Sequence, residues 1–248
     1  MSAEAVSEDE GKMGQPVPDN VRPWPRKLYD LLAAAPLIAW YSFSLTEMLP
    51  PIGRQISLAW MFVQTDLSVL PPTLVLGILS KICTVVFLAL TVVMFAVRRV
   101  PLRYSIGLYP RFAAGAGTFL GIGIVMLPPE ELASGLYLTS LLLIIGGSVF
   151  AVWAVLTLAR SISIMPQARR LVTSGPYRLV RHPLYLGEFV VLLGLALQHV
   201  MPWAPLLLAV QSVFQFERLR NEERVLALAF PSYEDYMART ARLLPGVY

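Results

Sequence analysis

The sequence predicts an all-α protein that crosses a membrane with about six helices and ends in a short helical cap. Three figures predict this class. Of the 248 residues, 56% are hydrophobic and only 15% are charged, whereas soluble domains carry about 25% charged residues. The mean hydropathy is +0.62. The same figures argue against a mainly soluble chain and against a disordered one.

The N-terminal segment differs from the rest of the chain. About the first 22 residues are polar and acidic and lack the basic start and short apolar core of a signal peptide. We predict that residues 1–27 form a disordered cytoplasmic tail. The single cysteine, Cys83, lies in an apolar run, so an intrachain disulfide is excluded.

Six apolar stretches approach the roughly 17–25 residues that a membrane-crossing helix needs. They are residues 28–49, 73–97, 112–127, 136–159, 184–198 and 200–216. The first four make up a transmembrane region over 28–159. Pro50 and Pro51 are expected to end the first span, which leaves 52–62 along the outer interface. His199 and Pro202 separate the last two spans, so we expect a tight hairpin rather than one long kinked helix.

The basic residues predict the orientation, because Lys and Arg concentrate in cytoplasmic loops. With the N-terminus inside, Arg54 and Lys81 are the only Lys or Arg residues of the 20 that fall outside cytoplasmic segments. We therefore predict a multi-pass protein of a bacterial inner membrane with both termini in the cytoplasm. The net charge of +4 then reports topology and affinity for anionic lipid, and nucleic-acid binding has no support. Lys81 either reaches outward to the surface or lines a cavity.

Small residues mark positions where helices can approach closely. Gly117 and Gly121 form a GxxxG pattern in the third span, which favours packing within the chain over a dimer face. Gly187, early in the fifth span, likewise removes a side chain where the backbone is approached closely. Oligomeric state stays open.

A basic loop leads into the fifth span. Gly175 and the proline after it are a turn signal. Pro183 suits the first position of a helix, where a missing N–H costs nothing. His182 is then expected at the helix cap near the membrane surface, where free N–H groups and the positive helix end favour an anionic ligand.

Two blocks in the last third of the chain form a bipartite pattern. The first reads Leu171-Val172-Thr173-Ser174-Gly175-x-Tyr177, then Arg181-His182-Pro183-x-Tyr185-x-Gly187. The second reads Arg218-x-x-x-Glu222-Glu223, then Phe230-Pro231-x-Tyr233-x-x-Tyr236, then Arg242 and Pro245. In order and spacing these blocks resemble the integral-membrane methyltransferases that include isoprenylcysteine carboxyl methyltransferase and the phospholipid N-methyltransferases.

The resemblance implies a catalytic region over 160–248 that uses S-adenosylmethionine and methylates a lipophilic acceptor from the bilayer. By position, the implied cofactor-binding residues are Arg169, Arg170, Leu171, Val172, Tyr177, His182, Pro183, Tyr185 and Glu222. Arg218 aligns with the arginine at the acceptor in the carboxyl methyltransferases. One departure is that Ile162 stands where those enzymes have a glutamine, with Gln167 nearby but out of register.

The residue types suit this chemistry. Glu222 can accept a hydrogen bond from the cofactor's ammonium group, and basic groups can bind the cofactor's carboxylate. Tyr177 or Tyr185 can pack on the adenine or near the sulfonium. An acceptor carboxylate needs only orientation by a cation such as Arg218, whereas an amine must lose a proton and needs a base such as Glu188 or Glu222. We therefore assign Arg218 and Glu188 to catalysis.

Other interpretations remain open at this point. Arg218 and Glu222 are also spaced as an ordinary i,i+4 surface ion pair. The Arg-His-x-x-Tyr-x-Gly-acid pattern also resembles membrane sterol reductases, which bind NADPH. A non-enzymatic membrane scaffold is the third alternative. A metal site is not expected, because two His and one Cys are scattered along the chain.

Overall fold

The computed structural model describes residues 23–104, 107–163 and 165–246, apart from the side chains of 23–26, 29 and 104. Most of the predicted N-terminal tail lies outside these residues. The first helix already begins at Pro23, so residues 23–27 of the range 1–27 are helical.

Helices dominate the described residues. Seven α-helices follow one another, α1 (Pro23–Thr65), α2 (Pro72–Val97), α3 (Leu108–Val125), α4 (Ser134–Leu158), α5 (Pro183–Leu197), α6 (Trp203–Ala229) and α7 (Tyr233–Arg239). Between them lie 3₁₀ turns at Leu67–Val69, Ala159–Ser161 and Gly175–Arg178. The strands β1 (Arg103–Tyr104) and β2 (Gln167–Ala168) form a short antiparallel pair.

This architecture confirms the predicted all-α membrane class. Among the described residues, α1 to α4 are long and apolar enough to cross a membrane, and α5 is a shorter apolar helix. Helix α6 combines an apolar first half with a charged second half. Large apolar side chains such as Leu142 and Val213 point outward with 58% and 63% exposure, as expected for lipid-facing surfaces.

The prediction that Pro50 and Pro51 end the first span is wrong. Helix α1 continues through both prolines to Thr65, so 52–62 belongs to the same helix and is not a separate interfacial segment. Proline removes one backbone donor and crowds the preceding turn, but membrane helices tolerate it where neighbouring groups satisfy the backbone. The residues directly before the prolines, Met48 and Leu49, are good helix formers rather than turn residues.

The predicted hairpin of the last two spans is confirmed. Helices α5 and α6 are separate and are joined by residues 198–202. The connection is held against the α3–α4 loop, because Val200 N donates to Pro128 O at 3.1 Å and Glu130 N donates to Gln198 O at 3.0 Å. His199 is buried there, with Nδ1 2.7 Å from Leu195 O, which suits a structural role.

Glycines allow the closest helix contacts. A Cβ on Gly187 would lie 2.9 Å from both Ala151 N and Gly147 O, so α5 packs directly against the backbone of α4. Gly117 contacts Gln215 of α6 and Gly121 contacts Leu192 of α5. The GxxxG pattern therefore serves packing within the chain, as predicted.

A pair of adjacent glycines in α4 tests this packing. A Cβ on Gly147 would lie 2.8 Å from Gly187 O and Val191 N, whereas a Cβ on Gly146 meets nothing within 4 Å. We expect Gly147→Ala to destabilise the fold by about 1–3 kcal/mol through overpacking. Gly146→Ala should be neutral or stabilise by up to about 1 kcal/mol through helix propensity. Unfolding of both variants in detergent is the measurement. Equal stabilities would contradict this account of the α4–α5 contact.

The loops at one end of the bundle are tied to its C-terminus. Leu102 N donates to Ala168 O at 2.7 Å, which continues the β1–β2 pairing. The Arg103 guanidinium donates to Leu228 O at 3.0 Å. Residue Val180 bridges Ala241 in parallel. These contacts gather the basic loop, the end of α6 and the last residues of the described chain around one site.

Candidate active site

His182 stands at the start of α5, as predicted. It is the N-cap residue and Pro183 occupies the first helical position. The His182 ring stacks on Tyr185, with centroids 5.5 Å apart and planes within 9°. The turn before it depends on Gly175, whose φ of +57° is left-handed and which packs against Thr157 of α4.

Glu223 organises the cationic side of this site. One of its oxygens lies 2.9 Å from Arg181 Nε and 3.1 Å from His182 Nε2, and the other lies 2.7 Å from Arg242 Nη2. Burial raises the pKa of Glu223, but the hydrogen bonds from His182 and Arg242 outweigh burial and lower that pKa overall. The ionised carboxylate therefore joins α6, the start of α5 and the C-terminal segment.

The C-terminal segment closes over the basic loop. His182 N donates to Arg242 O at 3.2 Å and Arg181 N donates to Ala241 O at 2.8 Å. The Tyr236 hydroxyl donates to Tyr177 O at 2.6 Å. Burial raises the pKa of Tyr236 to about 12. Burial, followed by the nearby charge of Glu222, raises the pKa of Tyr177 well above its usual value. Both phenols are therefore neutral near pH 7.

The residues so gathered line a polar cleft. The cavity volume of this cleft is about 50 Å³. Of the nine residues assigned to a cofactor from the sequence, Pro183 is buried in the first turn of α5 and does not border the cleft. The other eight border it, namely Arg169, Arg170, Leu171, Val172, Tyr177, His182, Tyr185 and Glu222. A nucleoside-sized ligand requires some of these side chains to move aside.

Sequence reasoning did not assign several other residues of this lining. Ser163, Gln167, Arg181, Leu226, Tyr233 and Tyr236 also border the cleft. The Tyr-x-x-Tyr spacing of the second block was a signal for the two tyrosines. Gln167 takes a place in the lining that Ile162 does not, because Ile162 is buried in the core beside Val155.

Adjacent acids on α6 take different roles. Glu222 borders the cleft and accepts a hydrogen bond from the Tyr185 hydroxyl. Glu223, one residue later, contacts Arg181, His182 and Arg242 instead. Glu217 is 30% exposed and pairs with Arg220 on the surface. The role of each acid therefore follows from the face of α6 on which it lies.

Arg218 lies between the cleft and the apolar interior. Its guanidinium stands 4.8 Å from the centre of the Tyr185 ring. It donates to Thr118 Oγ1 and to Ser163 O, each at 3.2 Å. Only 6% of Arg218 is exposed, so it is not half of an ordinary surface ion pair.

Gln215 connects the two residues assigned to catalysis. Its amide nitrogen donates to Glu188 Oε2 at 3.1 Å, and its amide oxygen accepts from Arg218 Nη1 at 3.4 Å. Gly117 provides the space, since a Cβ there would lie 2.8 Å from Gln215 Oε1. Glu188, Gln215 and Arg218 therefore form one polar group at the edge of the membrane helices, and sequence reasoning missed its central member.

A second, larger cavity lies among the apolar helices. Its volume is about 580 Å³, within the range of 300–1,000 Å³ that small-molecule sites occupy. Glu188 and Arg218 border it, together with many apolar side chains. Lys81 also borders it and donates to Gln55 at 2.8 Å, so the cavity alternative for Lys81 is the one observed. Ser163 and Leu184 border both the cavity and the polar cleft.

The comparisons with known proteins agree with the location of this site. Residues 136–232 match the phospholipid methyltransferase family. This segment contains α4, the basic loop, α5 and α6, and therefore most of the cleft. Helices α1 to α3 lie outside it.

Two relatives share part of the chain. A stretch of 80 residues is 35% identical to the nickel-cobalt-cadmium resistance protein NccN of Alcaligenes xylosoxydans xylosoxydans, covering 32% of this chain and 38% of that protein. A stretch of 76 residues is 40% identical to the cobalt-zinc-cadmium resistance protein CzcN of Cupriavidus metallidurans, covering 30% of this chain and 35% of that protein. The match thus spans less than two-fifths of either relative. Within the part of this chain that the structure describes, no three His, Cys, Asp or Glu residues are grouped to hold a metal ion.

Proposed function

We propose that the protein transfers a methyl group from S-adenosylmethionine to a lipophilic acceptor that enters from the bilayer. The observation that carries this proposal is the contact between two chemically different sites. A polar cleft lined by the family's motif residues meets an apolar cavity of about 580 Å³ beside Arg218. Such an arrangement suits a reaction between a soluble, charged donor and a lipid-soluble acceptor.

The residues of the cleft fit the cofactor chemically. Among the described residues, Glu222 is the only acid that lines the cleft and complements an ammonium group, while Arg169, Arg170 and Arg181 complement a carboxylate. Two buried donors, Arg169 Nε and the Tyr233 hydroxyl, have no hydrogen-bond partner among the described residues. Buried donors are rarely left unpaired, so these two atoms are suited to donate hydrogen bonds to a ligand.

The chemistry divides between the cofactor and the chain. When bound, S-adenosylmethionine supplies an electrophilic methyl group, which passes to a lone pair of the acceptor and leaves a neutral thioether. The chain's own residues orient the acceptor and exclude water, which is where most of the rate effect in a direct displacement arises. Arg218 would hold an acceptor carboxylate, as in an isoprenylcysteine-like substrate. Glu188 would take the proton from a lipid amine.

Calorimetry of the purified protein with S-adenosylhomocysteine tests the cofactor. We expect saturable binding of this reaction product and none of NADPH, which the reductase alternative requires. The reverse result would overturn the proposal in favour of a reductase. A folded sample that binds neither ligand would leave the scaffold alternative.

Labelled methyl transfer into a native membrane extract identifies the acceptor. We expect the label in the lipid fraction. Alkali treatment then releases methanol from a methyl ester and leaves an N-methyl group intact, which distinguishes a carboxylate acceptor from an amine.

We also propose that both termini lie in the cytoplasm, because the Arg-rich cleft needs access to a soluble cofactor.

A further inference from the structure

We propose that Asp30, on the first helix, is the positioning residue for Arg169 in the polar cleft, and that Arg169 thereby offers one free donor to the cofactor's carboxylate. This inference rests on the proposed function. It extends the site to a helix that lies outside the segment matching the methyltransferase family.

Asp30 joins two arginines from distant parts of the chain. Its carboxylate accepts from Arg98 Nε at 2.8 Å and from Arg98 Nη2 at 3.0 Å. It also accepts from Arg169 Nη2 at 2.8 Å and from Arg169 Nη1 at 3.3 Å. The three side chains are at most 6% exposed. Helix α1, the end of α2 and the basic loop therefore meet at a buried, doubly paired carboxylate.

These contacts determine which atom of Arg169 remains for a ligand. Both of its terminal nitrogens already have partners, because each donates to Asp30 and Nη2 also donates to Gln167 Oε1 at 2.7 Å. Its Nε is buried and has no partner among the described residues. Arg169 borders the polar cleft, and a guanidinium has no acceptor atom. Only a hydrogen-bond acceptor can satisfy this nitrogen.

The net charge of this cluster indicates that the group accepting a hydrogen bond from Arg169 Nε is an anion. One carboxylate lies between two guanidinium groups, so the cluster keeps an excess of positive charge out of contact with water. The buried site strengthens its attraction for a further negative charge. Burial and the neighbouring Arg169 lower the pKa of Arg98, but an arginine stays protonated in proteins. In the proposed cofactor the carboxylate of the amino-acid end is the group of that charge.

Two probes separate this role from a merely structural one. S-adenosylhomocysteine carries the amino-acid end, whereas 5′-methylthioadenosine shares its nucleoside and thioether but lacks that end. We expect Asp30→Asn to release the Arg169 side chain and to raise the Kd of S-adenosylhomocysteine about tenfold, because losing one oriented, charge-assisted hydrogen bond outweighs the added positive charge. The Kd of 5′-methylthioadenosine should stay within about twofold. Equal losses for both probes, or no loss for either, would overturn the inference.

Further variants test the route through Arg169. Asp30→Glu, which keeps the charge, should restore most of the affinity for S-adenosylhomocysteine. Arg169→Gln should lower that affinity, and adding Asp30→Asn should lower it no further. Additive losses would mean that Asp30 acts elsewhere. Asp66→Asn, an exposed carboxylate just after the same helix, is the matched control and should change neither Kd.

Removing one buried charge risks the fold, because the arginines lose their counter-charge. The double variant Asp30→Asn with Arg98→Gln removes one charge of each sign and is the alternative if Asp30→Asn does not fold. The same selective loss is expected. Wild-type binding of S-adenosylhomocysteine is the baseline throughout. Its absence would overturn the proposed function together with this inference, whereas unselective losses with intact wild-type binding would overturn the role of Asp30 alone.

Discussion

Replacing Glu222 with glutamine is expected to raise the Kd of S-adenosylhomocysteine about 10- to 100-fold. Glutamine keeps the shape of the side chain but removes the charge that the cofactor's ammonium would meet. Hydrogen bonds to charged groups contribute about 1.5–3 kcal/mol, which corresponds to this range of affinity. Among the residues that the structure describes, no second carboxylate lines the cleft to replace Glu222. Calorimetry in detergent measures the change.

Two controls interpret that result. Glu217→Gln changes a partly exposed acid five residues earlier on the same helix and should leave the Kd unchanged. Tyr185→Phe removes the hydroxyl that donates to Glu222 and should have a smaller effect than loss of the carboxylate. Unaltered affinity in Glu222→Gln would remove Glu222 from the cofactor site.

Replacing Arg218 with lysine should mainly slow turnover. Lysine keeps the positive charge but lacks the planar fork that contacts both Thr118 and Ser163. If Arg218 orients the acceptor, kcat should fall about 10²–10³-fold, as when one oriented donor at a reacting group is lost. The Kd of S-adenosylhomocysteine should change less than about threefold. Initial rates of labelled methyl transfer into membrane extract measure kcat, and calorimetry measures the Kd of S-adenosylhomocysteine.

Arg220→Lys is the matched control for Arg218. Arg220 lies two residues later, pairs with Glu217 and is 47% exposed, so its replacement should leave both rate and affinity near wild type. A large loss of cofactor affinity in Arg218→Lys would place Arg218 in the cofactor cleft. A normal rate would remove it from catalysis.

Local sequence signals predicted much of the framework, because each depends on short-range physics. Pro183 follows a residue that caps α5, and Gly187 and Gly117 lie where backbones approach closely. The apolar stretches become helices since a membrane leaves the backbone no other partner. A clear failure was at Pro50 and Pro51, where a soluble-protein rule for helix ends was applied to a membrane helix.

The remaining parts of the site depend on contacts between distant residues. Asp30 carries no motif, and its 139-residue separation from Arg169 hides the pairing in the sequence. Gln215 was not distinguishable from any other polar residue on α6. Glu222 and Glu223 are adjacent, and only the packing of α6 against the basic loop and the C-terminal segment directs one to the cleft and the other to Arg181, His182 and Arg242.

By itself, the sequence determined the membrane class and the residues that carry the methyltransferase-like pattern. Composition sets the solvent in which the chain folds, and spacing along a loop or helix sets its local geometry. The tertiary structure decided which of those residues share a cleft, that Glu188 and Arg218 are joined by Gln215, and that the first helix reaches the site through Asp30. Those facts follow from long-range packing and from the need to pair buried charges, which no local pattern records.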